Sequence, residues 1–311
     1  MTRDDHDEDE DIEEQLEDTG KDREKAGKIL KKVKEESKKL LKPGAKLLDI
    51  ADKIEALIKE HDGKPAAPAN LSLNDIAAHY VPAVDDVIVL EEKDLLKVDL
   101  CVHVNGFVVD SAFSFDAASE NSKLVEAADE ALNNAISMVR AGVNTRDIGE
   151  EIEKTITKKG FKPIENLCGH GVGYYKVHTA PSIPNVKTEH GVELEEGQVI
   201  AIEPFASTGR GYVTEDRNTQ IFSWRGFDVL TRNQDARRLL EKIKVDYKTL
   251  PFAERWLASG MDLFKLRVAL RELVGKEGLR SYPALKETRG ARVAQSEHTI
   301  VIEKDSCKVL T

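Results

Sequence analysis

An α+β domain is the fold class this sequence predicts. Pairs of amphipathic helical segments alternate with short apolar runs of antiparallel character, and one stretch, residues 94–115, reads as a β-hairpin around an Asn-Gly turn. No short-period repeat interrupts this order. With 311 residues and 40% hydrophobic content the chain can bury a substantial core. A formal net charge of -11 at pH 7 argues against a DNA-binding or anionic-membrane role, since those need a basic footprint.

Residues 1–20 open with an acidic run, DDHDEDEDIEEQLED, whose apolar content is too small to offset the entropy of ordering; a disordered tail is expected there. From Lys21 the pattern becomes helical, with Ala26, Ile29, Leu30, Val33, Leu40 and Leu41 near helical spacing until Pro43-Gly44. Its lysine-rich opposite face reads as a solvated surface. A second helix is expected over 45–61, and a strand-and-loop stretch then delivers His79.

In the hairpin, a tight Asn105-Gly106 turn sets Val104 against Phe107 and Cys101 against Asp110. Alternation puts Val98, Leu100, Val102, Val104, Phe107, Val109, Phe113 and Phe115 on one face, and Asp99, Cys101, His103, Asp110 and Ala112 on the other. Asp99 and Asp110 are diagonal neighbours roughly 7–8 Å apart at the backbone, near enough for their carboxylates to converge on a cation. The alternative is an exposed strand face carrying two solvated acids.

Helices are expected next over 121–141, closed by Gly142, and over 145–159, closed by Gly160. Asn166–Gly173, NLCGHGVG, reads as a glycine-rich loop that leaves room around His170. His178 follows eight residues later. Gln198–Pro204 is a short apolar strand ending in Glu203, and VAQSEHTIVIE reads as a β-branched strand carrying Glu297. Cys101, Cys168 and Cys307 form no C-x-x-C motif, so reduced thiols are expected. The sequence carries no signal-peptide pattern and no apolar run of membrane-spanning length, which predicts a cytoplasmic protein.

The order and context of these residues resemble the methionine aminopeptidases of the pita-bread fold, the creatinase and aminopeptidase architecture with pseudo-twofold halves. The likeness runs through AAHY at His79, KVDLCVHVNGFVVDSAF at the two aspartates, GHGVGYYKVH at His170 and His178, IEPF at Glu203 and EHT at Glu297. It covers nearly everything after Lys21. The resemblance implies a catalytic domain over 21–311, and the helical segments at about 222–282 resemble the insertion of the type 2 enzymes in their short, archaeal-like form. It also implies two divalent metal ions, Co, Mn, Fe or Zn, held by Asp99, Asp110, His170, Glu203 and Glu297. Such mostly hard donors do not select a thiolate-seeking metal. By the same resemblance Glu203 shuttles the proton between the attacking water and the leaving amine, while His79 and His178 contact the scissile amide and its oxyanion. The implied reaction is co-translational removal of methionine from nascent chains with a small second residue, by a monomer that meets its substrate at the ribosome. A relative with broader or Xaa-Pro specificity, or a non-enzymatic binding protein of the same fold, is the alternative.

Three positions depart from the family pattern. Ala67 stands where a phenylalanine is usual, which places it, with Phe205, at the expected methionine pocket. Ser296 replaces another phenylalanine but points away from the metals by alternation. Arg292 lies where an apolar pocket residue is common.

Overall fold

The computed structural model describes residues 5–311, with side chains described from Gly20 onward except that of Asn218. Residues 1–4, and the side chains of most of the expected acidic tail, lie outside that description.

Helices α1 (Asp5–Ser37) and α2 (Leu47–Glu60) form the first pair. Strands β1 (Lys64–Pro65), β2 (Asn70–Leu73) and β3 (Ile76–Ala78) lead to the hairpin of β4 (Leu95–Val104) and β5 (Phe107–Asp116). Its register is the one the turn dictates: Val104 pairs with Phe107, Cys101 with Asp110 and Asp99 with Ala112. Asn105 and Gly106 take φ of 50° and 95°, as a type I′ turn demands. A side chain at Gly106 is also forbidden by space, since a Cβ there would lie 2.2 Å from the Tyr175 ring. The apolar hairpin face packs with Ala26, Ile29, Leu30 and Val33 of α1 and with Ile50 and Ile54 of α2 in one core. That burial, at roughly 1.5–3 kcal/mol per fully buried aliphatic side chain, fixes which face is left for chemistry.

The second pair is α3 (Ser122–Met138) and α4 (Thr145–Lys158). Asn144 caps α4 by accepting from the Arg146 N–H. These helices cover β6 (Lys162–Pro163), β7 (Cys168–Gly173), β8 (Lys176–Pro184), β9 (Val199–Ile202) and β10 (Phe205–Ser207) around a second core that includes Leu124, Ile148, Ile152, Ile200 and Ile300. The glycine-rich stretch expected to be a loop is a strand. Glycine propensity loses here to close approach: a Cβ at Gly169 would sit 2.2 Å from the Ala201 carbonyl oxygen, and one at Gly171 2.0 Å from that of Ala180.

Strand β11 (Thr214–Trp224) is followed by α5 (Gln234–Asp246), β12 (Phe252–Ala253), α6 (Glu254–Leu257) and α7 (Leu263–Gly275). These helices share a separate core of Phe222, Leu239, Ile243, Phe252, Leu266 and Leu270. Strand β13 (Leu279–Lys286) returns beside β11 and also pairs with β3. The run expected as one strand is two, β14 (Val293–Gln295) and β15 (His298–Ile302), with β16 (Cys307–Val309) closing the chain. Ser296 and Glu297 form the break, because β14 pairs with β10 whereas β15 pairs with β9.

Candidate metal centre

That break positions two acids at once. Ile202 pairs with His298 and Phe205 with Gln295, so Glu203 and Glu297 fall opposite each other where both chains cross between sheets. Pro204, which has no N–H to give a ladder, lies in the gap and accepts from the Ser296 N–H at 3.3 Å. Glu297 is then tied to the hairpin: its N–H donates to the Ala112 carbonyl at 3.1 Å and its carbonyl accepts from Ser111 Oγ at 2.7 Å. Thr299 clamps the neighbouring strand, accepting from the Asp110 N–H at 2.7 Å and donating to the Asp110 carbonyl at 2.8 Å.

Asp99, Asp110, His170, Glu203 and Glu297 all line a cavity of about 600 Å³. The alternative of two solvated acids on an exposed strand face does not hold, since Asp110 is buried and Asp99 is half-buried. His170 Nε2 lies 3.5 Å from Glu203 Oε1 and 3.9 Å from Asp110 Oδ2. Its Nδ1 sits 3.1 Å from the Gly171 carbonyl and donates to it, which leaves the Nε2 lone pair facing the acids. Burial depresses the imidazole to about 4, so the ring is neutral at pH 7.

Burial, and then the repulsion of neighbouring carboxylates, pushes Asp110, Glu203 and Glu297 well above the ordinary carboxylate range. Burial likewise raises Asp99, to about 6. Asp110 Oδ1 and Glu297 Oε2 are buried and have no hydrogen-bond partner. Orphaned carboxylate oxygens beside a neutral, oriented imidazole are what a divalent cation satisfies. Asp110, His170 and Glu297 meet these terms, and Asp99, Cys101 and Asp110 form a second donor group without imidazole, the donor atoms within each lying within 4.8 Å of one another. Asp110 belongs to both.

On the other wall stand the remaining histidines. His79, just after β3, holds a left-handed φ of 64°, and its Nδ1 is buried without a partner. Its ring is hydrogen-bonded to the Pro283 backbone, and burial lowers it to about 4. His178 on β8 lies edge-on to His170 with ring centroids 4.5 Å apart, and it stacks on Tyr282 at 6.1 Å. Phe205 lines the cavity. Ala67 does not: it packs below, with Cys101, Val108, Val172 and Val177. Ser296 points away from the cavity and donates to Asp129 of α3. Arg292 is likewise off the cavity lining.

Sequence reasoning missed several neighbours. Gln295 Nε2 stands 3.5 Å from Asp99 Oδ2 and 3.4 Å from Glu203 Oε2, bridging the two acids. Its position two residues before Glu297 was the available signal, since a strand repeats its face every second residue. Lys34, placed on a solvated helix face by pattern, turns inward and donates to Ser111 Oγ at 2.6 Å, and burial lowers its ammonium to about 8. Tyr282 comes from β13 and joins the cavity only through tertiary pairing.

Comparison with known proteins agrees with this construction. Residues 22–304 match the profile of metallopeptidase family M24. A methionine aminopeptidase of Pyrococcus horikoshii is 51% identical over 274 residues, spanning 88% of this chain and 92% of that protein. Among solved structures, a thermophilic Arx1 superposes with a TM-score of 0.85 at 19% identity, over 94% of this chain and 90% of that one. A methionine aminopeptidase of Thermotoga maritima superposes with a TM-score of 0.68 at 24% identity, over 94% and 95%. At such identities these two likenesses speak to the fold alone. The chain belongs to metallopeptidase family M24 and has its pita-bread fold.

Proposed function

We propose that this member of family M24 hydrolyses the N-terminal methionine from polypeptides at a centre of two divalent ions held by Asp99, Asp110, His170, Glu203 and Glu297. One observation carries the two-ion reading: a single buried carboxylate, Asp110, belongs to two donor groups that otherwise share no residue. The similarity to methionine aminopeptidases over 88% of the chain supports the substrate. Co, Mn, Fe and Zn all suit carboxylate and imidazole donors.

When bound, such a pair supplies an activated water and polarises the scissile carbonyl. The chain's own groups do the rest. Glu203, held well above the ordinary carboxylate range by burial, accepts the proton of the attacking water and returns it to the leaving amine. His178, neutral because burial depresses it, donates to the developing oxyanion. His79 has its ring occupied at Pro283 and its Nδ1 unpartnered, which suits it to accept from the scissile amide N–H. Phe205, Leu167 and Tyr282 give the cavity the apolar surface that a methionine side chain needs.

The finer reading is of a monomeric cytoplasmic enzyme of the type 2 form. Its folded domain is 21–311 with a helical insertion over 222–282, and it meets nascent chains with a small second residue at the ribosome. Helices α5 to α7 support the type 2 assignment. Among the described residues no helix is long and apolar enough to cross a membrane. Metal-stripped protein assayed on a panel of Met-Xaa peptides tests the proposal: activity is expected to vanish and to return with Co or Mn. Full activity in chelator would overturn the metal mechanism, and release of residues other than methionine, or cleavage before proline, would overturn the specificity.

A further inference from the structure

Cys101 stands across the hairpin from Asp110 and two residues along β4 from Asp99. Its Sγ and one carboxylate oxygen of each acid lie within 4.8 Å of one another. The residue is only 4% exposed and does not line the cavity; it packs instead among Ala66, Ala67, Val108 and Val172. Sulfur therefore approaches the acids from the protein side, while substrate approaches from the cavity, and the two do not compete for room. A second observation falls on the same carboxylate: Asp110 Oδ1, on a residue 4% exposed, has no hydrogen-bond partner. The Asp110 carboxyl is also hydrogen-bonded to the Cys101 thiol and to Asp99.

We propose that Cys101 Sγ is a ligand of the ion bound by Asp99 and Asp110, so that one of the two ions sits in a mixed sulfur and oxygen set. The inference rests on the two-ion reading above and assigns a donor that reading does not contain. As the sulfur–metal bond forms, the S–H proton leaves to solvent and the dication stabilises the thiolate; no electron is transferred. The two ions then differ in preference. The Asp110, His170 and Glu297 group offers imidazole and carboxylate, whereas the Cys101 group leans toward Zn or Co over Mn, because thiolate is the softer donor.

The test titrates Co(II) into the metal-stripped full chain and reads its absorption spectrum. A thiolate-to-Co(II) charge-transfer band in the near ultraviolet is expected in the wild type and in Cys168→Ser, which removes the one cavity-lining thiol. Cys101→Ser is expected to lose that band while keeping the Co(II) d–d bands. Its Zn-over-Mn preference is expected to fall at least about tenfold, the scale on which changes around a metal act. A second measurement needs no variant: X-ray absorption of the Zn-loaded chain is expected to show a sulfur scatterer at about 2.3 Å. Co(II) bound with d–d bands but no sulfur band in the wild type would overturn the role of Cys101 and leave the two-ion reading standing. Failure to bind Co(II) or Zn(II) at all would overturn both.

Discussion

Two clusters of buried charge in this molecule are wired in opposite ways. On α2, Glu55 is 5% exposed and surrounded by donors: the Arg255 guanidinium, Trp256 Nε1 at 2.7 Å and the Ala69 N–H at 3.1 Å. The Glu55 carboxylate is answered from within the chain, although Arg255 Nη1 keeps no hydrogen-bond partner, and the knot fastens α2 to α6. At the cavity, Asp110 and Glu297 are as deeply enclosed and Asp99 and Glu203 are half-buried, yet among the described residues no Lys or Arg forms an ion pair with any of them. Lys34 makes no ion pair with Glu297: its ammonium donates to Ser111, whose Oγ donates to the Glu297 carbonyl, and its charge acts on the carboxylate from a distance. The difference teaches how to tell a structural ion pair from a site: four acids that repel one another with no cation paired to them, two of them keeping an unpartnered oxygen, need a countercharge from outside.

Changes at the centre are expected to have the largest effects and to separate the two clusters most sharply. Asp110→Asn is expected to lose bound metal and to lower kcat/KM on the order of 10³-fold, measured by elemental analysis and peptide hydrolysis. In chelator the same variant is expected to be no less stable than the wild type to urea, because one of four repelling charges has gone. Glu203→Gln is expected to lower kcat by about 10²- to 10⁴-fold with little change in KM. A variant with wild-type kcat would remove Glu203 from proton transfer.

At the other cluster the expectation reverses. Arg255→Ala is expected to destabilise the fold by about 3–5 kcal/mol, since it strands Glu55 without its partner, and to leave metal content unchanged. Equal destabilisation of the metal-free protein by Asp110→Asn and Arg255→Ala would erase the distinction.

Acidity offers a further contrast. Asp99 is raised to about 6 and the other three acids well above the ordinary carboxylate range, so protons compete with metal, and metal affinity is expected to rise with pH through about 6. His170 is neutral down to about 4 and takes no part in that competition. In the metal-free chain the sign is opposite. Raised folded-state values mean that the native chain holds more protons than the unfolded one, so these acids make stability fall as pH rises. Histidines depressed toward about 4 act the other way until their ordinary value of 6.5 is passed. Above about pH 6.5 the histidines no longer oppose that fall and the buried lysines, Lys34 and Lys97, whose ammonium groups burial lowers, act against it; calorimetry with and without metal measures the balance.

The smallest effect is expected at Ala67. Ala67→Phe adds a ring to a packed apolar cluster off the cavity, so it is expected to cost about 1–3 kcal/mol of stability and to leave the Met-over-Phe selectivity ratio unchanged. A rise in that ratio with the fold intact would bring Ala67 back to the substrate pocket.

What the sequence determined by itself is what depends on neighbours along the chain. The Asn105-Gly106 turn and the two-residue alternation around it specify the hairpin register and set Asp99 beside Asp110, because turn chemistry and side-chain period are local. Glycine and proline punctuation likewise marked the ends of α2, α3 and α4 to within a few residues. The order of the candidate ligands was legible through family resemblance. Tertiary structure alone decided the rest. His170 lies on a strand only because the carbonyls of Ala201 and Ala180 crowd glycines that have no side chain to resist them. Glu203 meets Glu297 because two strands change sheets at the same level, and Thr299 holds Asp110 across 189 residues of sequence. Lys34, Gln295 and Tyr282 reach the site by the same long-range closure, and so does the burial that makes four ordinary acids a centre. Periodicity encodes which face of an element is apolar; which other face it meets is settled only when the whole core closes.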